Sequence, residues 1–453
     1  MRLIIFKFYL AIIITVILFS FPVYGQEFDS VGWNYMREGK SLKETQALFK
    51  KEAALQPGNS DVWFGLSLCQ ESLGDTEGAC QSSYEALKQG FGNPLTEVYL
   101  VRAQELSYFS QKTGQFTALL EALSHNTTAS VYNQSLRAWY QSYHLRREGD
   151  FDSSRKMLSS LGLMTAFQIN GPYDNEGKSG WAEEYPPEKS ISFDTVVSGK
   201  LVPASWYEPK RGADWGVIDL GALFRPNEQA CGYVLTAVKS PTSGWLALRL
   251  GGSGLKVWVN QEEVFTNKAD RRGRFDQDHV PVYLHQGWNI LMIKSCRLDG
   301  DWLLTARITQ PDGSPVTGLE YSSQPNVMKQ VLASLPPYTD KGNPPVLDRG
   351  SIPELERICR DDPKNAMAFS LLALMYNRRD IPDRDAHLSL WAADSAVSLY
   401  PNCIFFRKVY VESQPDVNLR RQALESAYAV DTMDVQTLNL LGDLDSRGGF
   451  RDR

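Results

Sequence analysis

Four glycines recur at near-constant spacing in the first third of the chain, and they constrain the fold more than any other feature. They occur in Glu38-Gly39-Lys40, Leu73-Gly74-Asp75, Thr113-Gly114-Gln115 and Glu148-Gly149-Asp150, at intervals of 35, 40 and 35 residues. Each lies between two stretches of helical apolar periodicity. Before Gly74, residues Val62, Leu66 and Leu73 fall along one side of a helix over 61–73; after it, Ala79, Tyr84, Ala86 and Leu87 recur at three-to-four spacing. Glycine enters the left-handed conformation that ends a helix and lets the chain reverse. The pattern predicts helix pairs stacked into an α-helical solenoid over 26–165, each pair burying its apolar face against its neighbours.

The texture then changes. Asn170-Gly171-Pro172 and Pro186-Pro187 read as a linker over 166–189. From 190 to 320, alternation of period two dominates: Leu246, Leu248 and Leu250 alternate with Trp245, Ala247 and Arg249, and after Gly251-Gly252-Ser253-Gly254 the residues Leu255, Val257 and Val259 alternate with Lys256, Trp258 and Asn260. Short strands with glycine turns and no helical pattern between them predict an antiparallel β-sandwich. Pro336-Pro337 and Pro344-Pro345 read as a second linker over 321–350. Helical periodicity returns over 351–453, where Asp362-Pro363, Tyr400-Pro401 and Asp431-Thr432 each precede an apolar helix, and the chain ends in mid-repeat at Gly448-Gly449. The expected fold class is multidomain, α and β: solenoid, sandwich (jelly roll), second helical block.

The helical segments resemble tetratricopeptide repeats. Trp63, Leu66 and Ser67 stand where the first helix of such a repeat carries Trp, Leu and Gly; Ala79 and Ala86 stand at the small positions of its second helix; Pro57 precedes Trp63 at the spacing of the closing Pro. Gln70 replaces the usual Tyr. The resemblance implies a concave face of first-helix residues open to a partner protein or peptide, here Phe64, Leu68, Tyr108, Trp139, Tyr143 and Arg146. The plain alternative is that these side chains pack against the neighbouring unit. The middle segment resembles galactose-binding-like jelly-roll modules through Lys256-Val257-Trp258-Val259-Asn260, the basic turn Arg271-Arg272-Gly273-Arg274, and Val282-Tyr283-Leu284 followed by Gly287-Trp288-Asn289-Ile290-Leu291. With Leu255, Val257 and Val259 inward, Lys256 and Trp258 face outward, with Trp245 and Arg249 expected beside them. An aromatic platform with polar flanks is a candidate carbohydrate face; the alternative is a second buried layer. The order repeat, jelly roll, repeat looks like the region preceding transglutaminase-like domains in large exported bacterial proteins.

Compartment is indicated at the N-terminus. Arg2 and Lys7 precede an apolar run from Phe8 to Phe21, 14 residues long, and a small residue follows at Gly25. This reads as a signal peptide over 1–25, too short to span a bilayer at the ~20 residues required. The expected location is extracytoplasmic, periplasmic or secreted, without stable membrane insertion after cleavage. Those 25 residues hold two basic groups and no acid, so the rest carries 45 basic and 53 acidic groups, a net of −8. A general nucleic-acid binder, which needs a basic face, is excluded. Six cysteines permit disulfides in that compartment. Cys69 and Cys80 flank Gly74 almost symmetrically and are one candidate pair; Cys231 and Cys296, at the ends of two predicted strands, are another. Six buried thiols are the alternative.

The sequence contains no Gly-x-Ser-x-Gly elbow, no phosphate-binding loop and no metal-ligand spacing among its five histidines. Asp276, Asp278, Asp299 and Asp301 read as turn residues, and Arg271–Arg274 as a solvated loop, with anion binding as the alternative. No catalytic residue, metal or cofactor is expected. Three function classes follow: an exported non-catalytic interaction scaffold whose partner is a protein or peptide of the cell envelope; a carbohydrate-binding accessory protein; the front part of a larger exported transglutaminase-like enzyme.

Overall fold

The computed structural model describes residues 28–109, 113–211, 213, 215–335, 342–379 and 386–447. The candidate signal peptide and the Gly448-Gly449 turn lie outside the described residues. Helices occupy both ends of the chain and antiparallel sheets the middle.

The N-terminal block comprises α1 Val31–Arg37, α2 Leu42–Leu55, α3 Ser60–Ser72, α4 Thr76–Gly90, α5 Thr96–Ser107, α6 Thr113–Leu123, α7 Val131–Arg147 and α8 Phe151–Ser159. Its hairpins reverse through a two-residue device. Gly74 and Gly149 take left-handed φ of 80° and 88°. The aspartate that follows each glycine caps the next helix: Asp75 Oδ1 accepts from the Gly78 amide at 2.9 Å, and Asp150 Oδ1 from the Ser153 amide at 3.1 Å. The glycine ends one helix and the carboxylate satisfies an orphan amide of the next. Gly39 is left-handed as well, at 69°. Gly114 is not a turn glycine; it stands in the first turn of α6.

The sandwich holds β1 Gln168–Asp174, β2 Val197–Ser198, β3 Pro203–Ala204, β4 Ile218–Asp219, β5 Ala230–Ser240, β6 Gly244–Gly251, β7 Leu255–Val259, β8 Glu262–Asn267, β9 Asp278–Leu284, β10 Gly287–Arg297, β11 Leu303–Thr309 and β12 Glu320–Ser322. One sheet runs β1-β5-β10-β7-β8, with β12 also on β5; the other runs β4-β11-β6-β9; β2 and β3 pair apart. Every pairing is antiparallel. The inner faces meet through Leu246, Leu248 and Leu250 from one sheet and Leu255, Val257 and Val259 from the other, all buried. The expected linkers are partly structured. Strand β1 lies within 166–189 despite Pro172, because the ladder to β5 breaks register between Asn170 and Tyr173 and resumes. Helix Pro325–Ala333 lies within 321–350 and buries Met328 and Val331.

The C-terminal helices are Ile352–Asp361, Ala366–Arg379, Ala386–Leu399, Ile404–Glu412, Val417–Val430 and Val435–Arg447. They do not form a separate array. Their apolar residues belong to the same core as those of the N-terminal block, so that Trp33, Phe49 and Phe64 share one cluster with Ile352, Leu371 and Phe406. Phe64 meets Phe405 edge-on at 6.4 Å, and Lys408 Nζ donates to Ser72 Oγ at 2.7 Å. Two amphipathic blocks that each expose an apolar face lose that exposed area by closing on one another.

Candidate functional site

Helix α7 carries Tyr132, Leu136, Trp139, Tyr140, Tyr143 and Arg146 at three-to-four spacing, which puts them on one face. Ser130 starts the helix by accepting from the Asn133 amide at 3.2 Å. That face does not open to bulk solvent. The loop between β8 and β9 reaches it, and Phe275 stacks on Trp139 with ring centres 4.7 Å apart and planes 15° apart. From the C-terminal block, Arg378 donates to Glu105 at 2.6 Å and to the Tyr140 hydroxyl. Arg274 donates in turn to the Arg378 carbonyl at 3.1 Å. All three parts of the molecule thus converge beside helix α7 of the first helical block.

They leave a cavity of about 380 Å³, walled by Tyr108, Trp139, Tyr143, Arg146, Arg274 and Phe275 among others. A second cavity of about 320 Å³ shares Glu105, Arg274 and Arg378 with it and is lined further by Phe64, Leu68, Phe405 and Leu440. The six residues expected on a partner-binding face therefore all border these two spaces, four in the first and Phe64 and Leu68 in the second. Phe64 and Leu68 are buried, at 1% and 6% exposure, against the C-terminal block, whereas Tyr108 is 48% exposed.

Charge in the chamber is mostly paired. Burial opposes the Arg378 charge, but Tyr140 and Glu105 beside it hold its pKa above the ordinary arginine value. Arg102 pairs with Glu71, and Lys408 with Asp434 at 3.1 Å. Arg146 has Tyr143 on one side at 5.4 Å and Trp215 at 5.0 Å. Glu412 faces the solvent of the second cavity yet is crowded by protein, which pushes it up to about 7; Glu105 and Glu71 add to the rise, and Arg102 and Lys408 oppose it.

The carbohydrate face expected from strand alternation is not assembled. The chain crosses between sheets at Gly251–Gly254, so Trp245 and Arg249 on β6 lie in one sheet and Lys256 and Trp258 on β7 in the other. With both inner faces filled by the Leu and Val residues, the two pairs stand on opposite outer faces of the sandwich. Arg249 is wholly buried. Its guanidinium donates to Thr309 Oγ1 at 3.0 Å, the Asp348 carbonyl at 3.0 Å and the Pro311 carbonyl at 3.3 Å, and lies over Tyr132 at 5.3 Å. Trp258 is half-buried within an outer apolar layer that includes Trp181, Tyr185 and Trp206. Lys256 Nζ sits over the Trp181 ring at 4.6 Å. Trp245 is half-buried, edge-on to Tyr283 across the β6–β9 ladder.

Cys231 and Cys296 are cross-strand partners on β5 and β10 and form a disulfide. Cys69 and Cys80 are free and buried, and do not bridge. Cys80 Sγ turns to the Leu106 carbonyl of α5, at 3.1 Å, whereas Cys69 lies toward Cys403 and Lys408 of the C-terminal block. Equal distance from a turn did not make the two side chains face each other. Burial holds both thiols up, Cys69 to about 12 and Cys80 to about 11.

Sequence reasoning passed over Phe275 and Arg378 and placed Arg274 in a solvated loop. A phenylalanine inside the charged run Arg271–Asp278 was the available signal, since a solvated turn has no use for one. That run is largely buried: Arg271 pairs with Asp278 and Asp276 with Arg307. Among the described residues no group of three or more His, Cys, Asp or Glu could hold a metal ion, and no helix is long and apolar enough to cross a membrane. No family model matches this chain, and no curated protein is similar to it.

Proposed function

We propose that this chain is an exported, non-catalytic interaction scaffold whose chamber receives a segment of another protein of the cell envelope. The observation that carries this reading is the convergence of Tyr108, Trp139, Tyr143 and Arg146 on one cavity at the junction of the three parts. Aromatic rings and guanidinium groups are the side chains that supply most binding energy at protein contacts. In this reading the helix pairs are of the tetratricopeptide type, which the Gly-Asp reversals at Gly74 and Gly149 support. The sandwich is of the galactose-binding-like kind and acts as a wall of the chamber rather than as a sugar site. The disulfide supports an oxidising compartment. The carbohydrate-binding reading loses its geometric ground with the separation of Trp245 from Trp258, and the transglutaminase-like reading rests on domain order alone.

The test is affinity capture from an envelope extract with the full chain and with the double variant Tyr143→Ala, Arg146→Ala. A partner retained by the first and lost by the second, at equal thermal stability of the two, supports the reading. Capture of the same proteins to the same extent by both overturns it.

A further inference from the structure

Resting on that reading, we propose that the chamber selects a peptide segment in which acidic side chains adjoin a bulky apolar one. The argument begins with which charges are already answered. In the first cavity Asp276 is bound by Arg307, Glu105 by Arg378, and Glu97 accepts from the Ser351 amide and the Tyr132 hydroxyl. Arg274 is exposed at the seam of the two cavities and its guanidinium donates to a main-chain carbonyl, that of Arg378. Arg146 is held by the rings of Tyr143 and Trp215. Rings attract a guanidinium charge without supplying a carboxylate, the partner that its planar fork of N–H donors fits. Among the described residues, two guanidinium groups of the cavity lining therefore have no carboxylate partner, in a chain whose net charge is −6.

The second cavity has a different lining. Phe64, Leu68, Phe405 and Val409 form its apolar floor beside the charged Glu71, Arg102, Lys408 and Glu412, and Leu440 remains 41% exposed at its edge. An acidic sugar chain would satisfy the arginines but present hydroxyls to Leu440 and Phe405. An extended peptide satisfies both, because neighbouring residues can place a carboxylate at Arg274 and an apolar side chain beyond it. Arg274 comes from the sandwich and the apolar floor from both helical blocks, so recognition requires the closed arrangement of all three.

The experiment is selection of a random short-peptide library on the immobilised full chain, repeated on Arg274→Gln and on Arg146→Gln. Enrichment of Asp or Glu next to Leu, Phe or Tyr is expected. Binding of the enriched peptides should weaken roughly tenfold or more in each variant, as for loss of one charge-assisted contact. Enriched peptides without acidic residues, or binding indifferent to both substitutions, overturn this inference while leaving the chamber a peptide site. Failure to enrich any peptide, or binding of oligogalacturonate in its place, overturns the peptide reading of the chamber altogether. Arg146→Gln keeps the test decisive should Arg274→Gln perturb the seam.

Discussion

Arg307 and Asp276 form an ion pair that water does not reach. Arg307 Nη2 lies 2.5 Å from Asp276 Oδ2, and Nε donates to both carboxylate oxygens at 3.1 Å. The side chains are 0% and 1% exposed. Nη1 donates to the Leu161 carbonyl at 3.3 Å, and the guanidinium lies 4.7 Å from the Phe275 ring centre. The pair thus pins the β8–β9 loop to the outer face of β11, which is what brings Phe275 onto Trp139 and forms one wall of the chamber.

Removing one member leaves the other charged and buried, so Asp276→Ala should cost about 3–5 kcal/mol. Replacing both by apolar residues, Asp276→Leu with Arg307→Met, should recover most of that loss, because neither desolvated charge remains. Chemical denaturation of the two variants measures this. A double variant no more stable than the single one would show that the pair's geometry, rather than its charge balance, holds the loop.

The disulfide supports a second prediction. Cys231 and Cys296 face each other across β5 and β10 and close a loop with a sequence separation of 65. Chain-entropy arguments give about 4 kcal/mol for a loop of this length. The variant Cys231→Ser, Cys296→Ser should lose an amount of that order in denaturation under oxidising conditions. The wild type should lose the same amount on reduction, and the double variant none.

Strand alternation located the sandwich core residue by residue, because Leu246–Leu250 and Leu255–Val259 bury every second side chain on one face. It could not say that the two strands belong to different sheets. A glycine-rich connection permits a hairpin or a crossing equally, and the choice is made by β9 and β10, which lie far along the chain. The Gly-Asp reversals were legible because cap chemistry is local. The closure of the two helical blocks was not, since an amphipathic helix shows that it has an apolar face and not what covers it. The chamber was half legible for the same reason. Tyr108, Trp139, Tyr143 and Arg146 follow from helical spacing, whereas Phe275, Arg274 and Arg378 arrive from distant segments.

That closure can be probed at glycines. Gly149 and Gly39 share a left-handed backbone, with φ of 88° and 69°. A methyl group at Gly149 would meet nothing within 4 Å, whereas at Gly39 it would meet Asn402 main-chain and side-chain atoms at 2.6 Å. Gly149→Ala should therefore cost only the backbone penalty, about 1–2 kcal/mol. Gly39→Ala should cost distinctly more, because the C-terminal block must shift. Equal losses in thermal unfolding would mean that the contact between Gly39 and Asn402 contributes nothing to holding the blocks together.

Glu412 makes the stability of the chamber depend on pH. Its pKa rises from 4.5 to about 7, first because the protein crowded around the exposed side chain weakens the hydration of its charged form and then because Glu105 lies close. A carboxyl whose folded value exceeds its unfolded value binds its proton more tightly when folded. The folded state therefore gains stability as pH falls through 7; the gain is complete below about 4.5 and absent well above 7. Glu412→Gln removes the charge without changing the shape, so it should raise the melting temperature well above pH 7. The advantage should shrink as pH falls and vanish below about 4.5, where the wild-type carboxyl is neutral in both states. Melting curves of both proteins across that interval decide the matter. A difference that stays constant with pH would place the origin of the effect elsewhere than in the Glu412 proton.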